Sequence, residues 1–312
     1  MPLNTAIEKQ TLIDFMLNTT LEVTPLGADK VSDFRHILRP GCTVYVTFLP
    51  GSDFADTLRT VRRLKHEGYS PVPHFAARSI ASAKVLEENL AALRGETGIT
   101  EGLLVGGGLN TPVGEFDSSI QVLHTGLFEK YGFTKLGFAG HPEGNPDIPD
   151  AECNLAIKEK NDYAKNTDMD CYLATQFVFE AAPVLAWEKK IRDQGNCLPI
   201  YVGIPGLASV KTLLHHAQQC GIGPSVHFLT RNPINMLRLS LKDSFLGRFV
   251  AAPASDPSQL LHDLVAGKLG DPDSLIERCH LYPLGGLEKS ARWMYRLQDG
   301  NFEFVANGLR II

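Results

Sequence analysis

A single carboxylate stands in an apolar run near the start of the chain. Glu22 lies between Leu21 and Val23 in the segment TTLEVTP, residues 19–25. If this segment is a barrel strand it has no solvated edge, so the carboxyl group must occupy a pocket or a buried ion pair. Desolvation in a pocket favours the protonated form, which a general acid working near neutral pH requires. We therefore predict a catalytic acid here, with a buried ion pair as the alternative.

Further polar groups stand where predicted strands end. Gln176 is a primary amide in the apolar run CYLATQFVF, suited either to binding the edge of a heterocycle or to a tie between strands. Thr47 and His74 end their own β-rich runs, and His74 could equally be a satisfied core residue. Gly106–Gly108 would allow close approach of a ligand or simply form a tight turn. The turn HPEGNP, residues 141–146, follows a buried strand and is too structured for an idle loop.

Short β-rich runs alternate with longer helical segments along the chain. The predicted strands are 19–25, 43–48, 71–75, 101–106, 135–140, 171–179, 198–204 and 279–284. The predicted helices include 53–68, 79–98 with Ser79 as its N-cap, and 207–221. Eight β-then-α units in this length predict a (β/α)8 TIM barrel, with an open doubly wound sheet as the alternative. In such a barrel, chemistry takes place at the carboxyl ends of the strands.

The organisation predicted from these patterns is one barrel domain covering residues 1–312. The irregular stretch 223–277 is predicted to add extra helices between units seven and eight. The weakly alternating segment 300–312 would form a C-terminal extension, as an edge strand or as an oligomer contact. We expect a homo-oligomer.

Composition excludes several classes of function. The chain has a net charge of -5 and no basic stripe or arginine cluster, so nucleic acid is not an expected partner. Six cysteines are scattered singly, and no histidines fall at metal-ligand spacing, so we expect no metal site. The N-terminus does not resemble a signal peptide, and no apolar run approaches the length needed to cross a bilayer. We expect a cytoplasmic protein without a membrane partner.

Six short motifs follow one another with the spacing of barrel strands. They are LEVTP, VYVTF, PVPHFAAR, GFAGHPEGNP, ATQFVFE and YVGIPGLASV. In this order they resemble the catalytic domain of the methylenetetrahydrofolate reductase family, from about residue 18 to about residue 300. No single motif is diagnostic, but six in order favour the resemblance. That family is a flavin-dependent (β/α)8 barrel, which agrees with the strand count.

The resemblance implies an enzyme that interconverts 5,10-methylenetetrahydrofolate and 5-methyltetrahydrofolate, in one-carbon metabolism and methionine biosynthesis. FAD would be the cofactor and NADH or NADPH the co-substrate of a ping-pong reaction. Glu22 matches the family's glutamate that protonates N10 of the folate, and Gln176 matches the glutamine that contacts the pterin. Thr47, Leu109 and Val210 match further substrate-binding positions.

The same resemblance implies a set of cofactor-binding residues. These are Thr47, His74, Gly106, Gly107, Gly108, Ala139, His141, Asn145, Asn161 and Lys165. The HPEGNP turn would wrap FAD. Asn161 and Lys165 lie four residues apart on one face of a helical run, and Lys165 would meet the FAD phosphates. Lys158 or Lys160 would replace it if the register of this helix differs.

The sequence departs from the family pattern at several of these positions. The aspartate expected after the fourth strand is Leu109, and the aromatic residue of the seventh loop is Val210. In the fifth-strand turn, His141 replaces an aromatic residue and Asn145 replaces a histidine. These changes leave the nicotinamide preference and the reaction direction open. They also motivate an alternative, a folate-binding barrel that has lost FAD and works with nicotinamide directly or as a non-catalytic subunit.

Overall fold

The computed structural model describes residues 6–208, 212, 256–305 and 308–312. Its strands are β1 Thr20–Val23, β2 Thr43–Val46, β3 Ser70–Ala76, β4 Glu101–Val105, β5 Lys135–Gly140, β6 Asp170–Phe177, β7 Ile200–Pro205 and β8 Ile276–Tyr282. All eight are parallel, each pairs with the next, and β8 closes onto β1. The predicted (β/α)8 TIM barrel is therefore confirmed, and the open-sheet alternative is excluded.

Helices alternate with these strands. Within the described residues they are α1 Ala6–Leu17, α2 Pro25–Ala28, α3 Phe54–His66, α4 Ala83–Thr97, α5 Ser119–Leu123, α6 Leu127–Lys130, α7 Asp150–Lys165, α8 Ala181–Asp193, α9 Ser258–Gly270 and α10 Leu287–Gln298. The N-cap of α4 is Ser82, whose hydroxyl accepts a hydrogen bond from the Val85 N–H at 3.2 Å. The prediction of Ser79 was wrong, because residues 77–79 form a separate 3-10 turn at the end of β3.

Alternation along the strands divides the apolar residues into two layers. The outward-facing residues, such as Leu21, Val44 and Phe138, pack with the helices in one large core. The inward-facing residues fill the barrel itself, and they are Tyr45, Val72, Leu103, Tyr172, Ala174 and Tyr201. Glu22 pairs in register with Tyr45 and therefore also points into the barrel.

A polar network fills the barrel interior near the amino ends of the strands. The hydroxyls of Tyr45 and Tyr172 are hydrogen-bonded to each other, and the Tyr172 hydroxyl also donates to Glu101 Oε1 at 3.1 Å. Lys135 Nζ lies 3.2 Å from the same carboxylate. Gly137 makes room for this arrangement, since a Cβ there would lie 2.4 Å from Cζ of Tyr172. We call Tyr45, Tyr172, Glu101 and Lys135 the lower network.

The C-terminal residues form a small sheet of their own. β9 Phe302–Val305 and β10 Gly308–Ile311 pair antiparallel, so the predicted extension 300–312 is a hairpin and does not extend the barrel. α9 falls in the predicted insertion 223–277 and packs against α8 and α1, as the ring helix between β7 and β8 should. The remainder of that insertion up to residue 255, and nearly all of the predicted helix 207–221, lie outside the described residues.

Candidate functional site

Glu22 lies at the carboxyl end of β1, beside a buried histidine. Its side chain is 15% exposed, and its Oε2 is 3.6 Å from Nε2 of His280, which is 1% exposed. The other ring nitrogen of His280, Nδ1, is hydrogen-bonded to the Thr20 hydroxyl at 2.7 Å. Pairing of Thr20 with His280 in the β1–β8 register brings the three side chains together. Among the described residues, Glu22 has no lysine or arginine within ion-pair distance, and its neighbouring titratable group is His280.

A second histidine lies close by, across an aromatic ring. The ring centroid of Tyr45 is 4.5 Å from that of His280 and 5.9 Å from that of His74. Desolvation lowers the pKa of buried His74 to about 4, so its ring is neutral at neutral pH. Within the described part of the chain, neither His74 Nε2 nor Thr47 Oγ1 has a hydrogen-bond partner, although both atoms are buried. Since buried polar atoms are normally paired, these two could pair with a polar ligand bound at this end of the barrel.

The loop after β4 packs against the end of β3 on one side and leaves open space on the other. Gly107 has a φ of +95°, and a Cβ there would lie 3.2 Å from Cβ of Ala76 at the end of β3. A Cβ at Gly106 would meet no atom of the described structure within 4 Å, and at Gly108 the nearest is 3.9 Å away. Leu109 follows, half-buried. The loop therefore rests on β3 and leaves space over Gly106 and Gly108 in which a ligand could approach the backbone closely.

The turn after β5, HPEGNP (residues 141–146), has a defined conformation, and we call it the wall after β5. The Gly144 N–H donates to the His141 carbonyl at 3.1 Å, and the Asn145 side chain accepts from the Asp147 N–H at 2.9 Å. Burial lowers the pKa of His141 to about 4, and among the described residues its Nδ1 has no partner. His141 also lines a cleft of about 320 Å³ between this turn and α8, together with Gly144, Trp187 and other residues. The HPEGNP segment is thus held in a fixed form by its own hydrogen bonds.

A buried lysine on α7 points toward this wall. Lys160 is 4% exposed, and its Nζ donates to the carbonyl of Ala139, at the end of β5, at 3.0 Å. Desolvation lowers its pKa to about 8. Lys165, the last residue of α7, is exposed, and so is Lys158, which pairs with Asp162 at 3.1 Å. Of the three candidate lysines, Lys160 is the one that the structure brings near the carboxyl end of the barrel.

Asn161 faces away from the mouth of the barrel. Its amide nitrogen donates to Asn196 Oδ1 at 2.8 Å, and its oxygen accepts from the Cys197 N–H at 2.8 Å. These partners precede β7, at the amino ends of the strands. With Lys165 it lines a separate cleft of about 380 Å³ between α7 and α8. The structure therefore does not bring Asn161 and Lys165 together with Glu22. Lys165 is the last residue of α7, and Asn161, unlike its neighbour Lys160, directs its side chain to residues that precede β7.

Gln176 lies at the carboxyl end of β6 beside an irregularity in the sheet. Pairing with β7 shifts register between Ala174 and Phe177. Gly203 on β7 permits the close approach, since a Cβ there would lie 2.4 Å from the Gln176 carbonyl oxygen. The Tyr282 hydroxyl, from β8, donates to the Thr175 carbonyl at 2.8 Å. Gln176 thus stands half-buried on the same rim as Glu22, whereas Val210 lies outside the described residues.

Two residues beside Glu22 were absent from the predicted site, Thr20 and His280, and so was Tyr45, whose ring lies against His280 while its hydroxyl belongs to the lower network. The prediction began the eighth strand at Cys279, but β8 begins at Ile276. Alternation with Cys279 and Leu281, which belong to the outer core, places His280 on the inward face, so the period of the strand was the available signal.

The described residues contain neither a candidate metal-binding cluster nor a candidate membrane-spanning helix. No group of three or more histidine, cysteine, aspartate or glutamate side chains there could hold a metal ion. No described helix is both long and apolar enough to cross a bilayer.

Comparison with known proteins gives a weak and partial relationship. No family model matches the chain. Methylenetetrahydrofolate reductase 2 of Saccharomyces cerevisiae is 28% identical over 106 residues, which cover 33% of this chain and 17% of the reductase. Methylenetetrahydrofolate reductase 1 of Schizosaccharomyces pombe is 28% identical over 95 residues, covering 30% of this chain and 15% of the reductase. The matched stretch is therefore less than a fifth of either relative.

Solved structures add little beyond this. The putative copper homeostasis protein CutC of Streptococcus agalactiae has a TM-score of 0.39 at 12% identity, covering 65% of this chain and 95% of CutC. A β-mannanase of Thermomonospora fusca, in complex with mannotriose, has a TM-score of 0.38 at 15% identity, covering 65% of this chain and 74% of the mannanase. Similarity at this level carries no information about chemistry.

Proposed function

We propose that this chain is an FAD-dependent oxidoreductase that interconverts 5,10-methylenetetrahydrofolate and 5-methyltetrahydrofolate, with NADH or NADPH as the other redox partner. The observation that carries the proposal is the group of polar side chains that converge at the carboxyl end of the barrel. There Glu22 and His280 lie near Thr47 and His74, whose buried polar atoms lack partners among the described residues. The partial homology to two yeast methylenetetrahydrofolate reductases supports the same chemistry.

The residues at the mouth fit a flavin. Thr47 Oγ1 and His74 Nε2 need polar partners, and the carbonyl and imide groups of an isoalloxazine ring offer them. The open space over Gly106 and Gly108 suits close approach of the cofactor to the backbone. Bound FAD would supply the hydride transfer, while the protein orients the reactants and handles the proton.

The wall after β5 would hold the rest of the cofactor. His141 has an unpaired ring nitrogen, and Asn145 and Ala139 border the same turn. Lys160 takes the place of Lys165 in this proposal as the cation for the phosphates. The reason is its position, with Nζ already hydrogen-bonded to the Ala139 carbonyl at the end of β5.

Glu22 would act as the general acid of the folate reaction. Opening the five-membered ring of methylenetetrahydrofolate releases N10 as an amine, which takes up a proton, and the Glu22 carboxyl would donate it. His280 lies beside this carboxyl, with its Nε2 3.6 Å from Glu22 Oε2. When Thr20 donates to Nδ1 of His280, the protonated nitrogen is Nε2, which faces Glu22.

The substrate would lie between Glu22 and the rim of β6. Gln176 offers an amide that can both donate to and accept from the pterin edge. Leu109, in the loop after β4, would present an apolar contact to flavin and pterin. Thr47 and Val210 complete the proposed substrate contacts.

The visible spectrum of the purified protein tests the proposal. We expect flavin absorption bands that stay with the protein after FAD is added and the unbound excess is removed, and bleaching of these bands when 5-methyltetrahydrofolate is added without oxygen. A protein that takes up no FAD and shows no spectral change would overturn it.

Asn145 favours one alternative. Its side chain is already committed to the Asp147 N–H, so it is less available to a cofactor than an unpaired group would be. A folate-binding barrel without FAD, using nicotinamide directly or serving as a non-catalytic subunit, would be consistent with this. A colourless protein that still oxidises NADH or NADPH when methylenetetrahydrofolate is present would establish the direct route.

A further inference from the structure

The loop between β4 and α5 is long and exposed, yet it has a defined position. Residues 106–118 contain neither helix nor strand, and most of them are exposed. Loops of this length inside a compact domain are uncommon and usually functional. The loop includes Gly106, Gly107, Gly108 and Leu109, which border the proposed cofactor.

One arginine holds this loop from below. Arg78, in the 3-10 turn after β3, donates from Nε to the Leu109 carbonyl at 2.7 Å and from Nη2 to the Asn110 carbonyl at 2.6 Å. Its Nη1 donates to the Asp117 carbonyl at 3.1 Å. The backbone of the same residue adds two bonds, from its own N–H to the Gly106 carbonyl and from the Val113 N–H to its carbonyl, both at 2.9 Å.

The charge of this guanidinium is only weakly matched by a carboxylate. Asp117 Oδ1 lies 3.7 Å from Nη1, and the Asp117 side chain is 70% exposed. The short hydrogen bonds go instead to backbone carbonyls. A cation that binds the carbonyl of a peptide unit polarises its N–H, so the Asn110 and Thr111 amides become stronger donors. Neither amide donates to an acceptor among the described residues.

We propose that Arg78 is a positioning residue that fixes the loop 106–113 and thereby sets the affinity of the site for FAD. The inference rests on the proposed function, because FAD is the ligand whose affinity it addresses. Arginine suits the task because its planar fork presents three separate nitrogen atoms to three carbonyls, whereas the donors of lysine all lie on one nitrogen. The fork acts through the loop and does not itself need to touch the ligand.

The test compares Arg78→Lys and Arg78→Ala with the control Arg59→Gln. Arg59 lies on α3, is about half exposed and pairs with Asp56 and Asp29 at the surface. We expect FAD affinity to fall by at least about tenfold in Arg78→Ala and by less in Arg78→Lys, and to stay unchanged in the control. Addition of methylguanidinium should restore much of the affinity of Arg78→Ala, which loss of general stability would not allow.

Amide hydrogen exchange without ligand provides the second measurement. Exchange at residues 107–113 should accelerate in Arg78→Ala while exchange in the barrel strands stays unchanged. Faster loop exchange with unaltered FAD affinity would overturn the positioning role, and so would unaltered loop exchange. If the unmodified protein binds no FAD, the proposed function fails, and with it the link to affinity; the exchange data then decide whether Arg78 holds the loop.

Discussion

The two ends of the barrel interior handle buried polar groups in opposite ways. At the amino end, the tyrosines of the lower network bond to each other and to Glu101, which is paired with Lys135. At the carboxyl end, the described structure leaves Thr47 Oγ1 and His74 Nε2 buried without partners. An unpaired buried polar atom costs stability, and a bound ligand that pairs with it would recover that cost. The difference separates the half that stabilises the barrel from the half that we propose binds and transforms a ligand.

Burial shifts the pKa values of acidic groups at the amino end of the barrel and of basic groups at the carboxyl end. Burial raises the pKa of Tyr45 and Tyr172 well above the usual range, so these hydroxyls remain neutral hydrogen-bonding groups. At the carboxyl end, burial lowers the pKa of three bases, His74 and His141 to about 4 and Lys160 to about 8. The upper end therefore holds groups whose charged forms are penalised until a ligand supplies compensating partners.

The largest effect should come from removing the acid at the upper end. Glu22→Gln keeps the size of the side chain but cannot deliver a proton, so we expect the folate half-reaction to slow by about a thousandfold. Reduction of the flavin by NADH or NADPH should be nearly unchanged. Stopped-flow measurement of each half-reaction separates the two steps.

Glu101→Gln is the matched control, since it changes the same functional group at the lower end. It should lower thermal stability and leave the folate rate largely intact. Equal damage to both half-reactions in Glu22→Gln would remove the acid assignment.

Lys160 should show an opposite effect on stability and on binding. Its pKa of about 8 lies below the ordinary value of 10.5, so the folded state disfavours the charged form. The resulting penalty is complete below pH 8 and disappears as the pH rises toward 10.5, and it amounts to about 3 kcal/mol at pH 7. Lys160→Met should therefore raise the free energy of unfolding at pH 7 by about 2–3 kcal/mol and weaken FAD binding.

Denaturant titrations at pH 7 and pH 10 check this prediction. The gain in stability should shrink at the higher pH. Lys158→Met, two residues away on the exposed side of α7, should change neither stability nor FAD affinity. A destabilised Lys160→Met protein at pH 7 would show that the hydrogen bond to Ala139 outweighs desolvation.

Much of the fold and part of the site could be predicted from sequence. The strand 135–140 was predicted with the bounds that β5 has, since an apolar run flanked by polar turns marks a buried parallel strand. Glu22, Thr47, His74 and Gln176 were placed at the carboxyl ends of strands by the barrel rule, and the structure has them there.

The remainder depended on quantities that a sequence does not contain. The four-residue spacing of Asn161 and Lys165 predicted a shared face of α7, but it did not predict what that face contacts. The partners of Asn161 are Asn196 and the Cys197 N–H, which lie about 35 residues later in the chain. The bond between Tyr45 and Tyr172 joins residues 127 positions apart, and its partners follow from the closure of the barrel. The role of Arg78 could not be predicted from sequence either, because its acceptors are carbonyls of a loop 31 and 32 residues later.

The smallest effect should come from one hydroxyl of the lower network. Tyr172→Phe removes the partner of the Tyr45 hydroxyl and one donor to Glu101 and leaves the ring over Gly137, so we expect a loss of about 1–2 kcal/mol in the free energy of unfolding. Tyr131→Phe also removes a hydroxyl that donates to a carboxylate, Glu87, but nearer the surface, and should cost less than about 0.5 kcal/mol. FAD affinity should be unchanged in both variants. A large loss of FAD affinity in Tyr172→Phe would mean that the two ends of the barrel are coupled, and the division between a stabilising half and a binding half would then not hold.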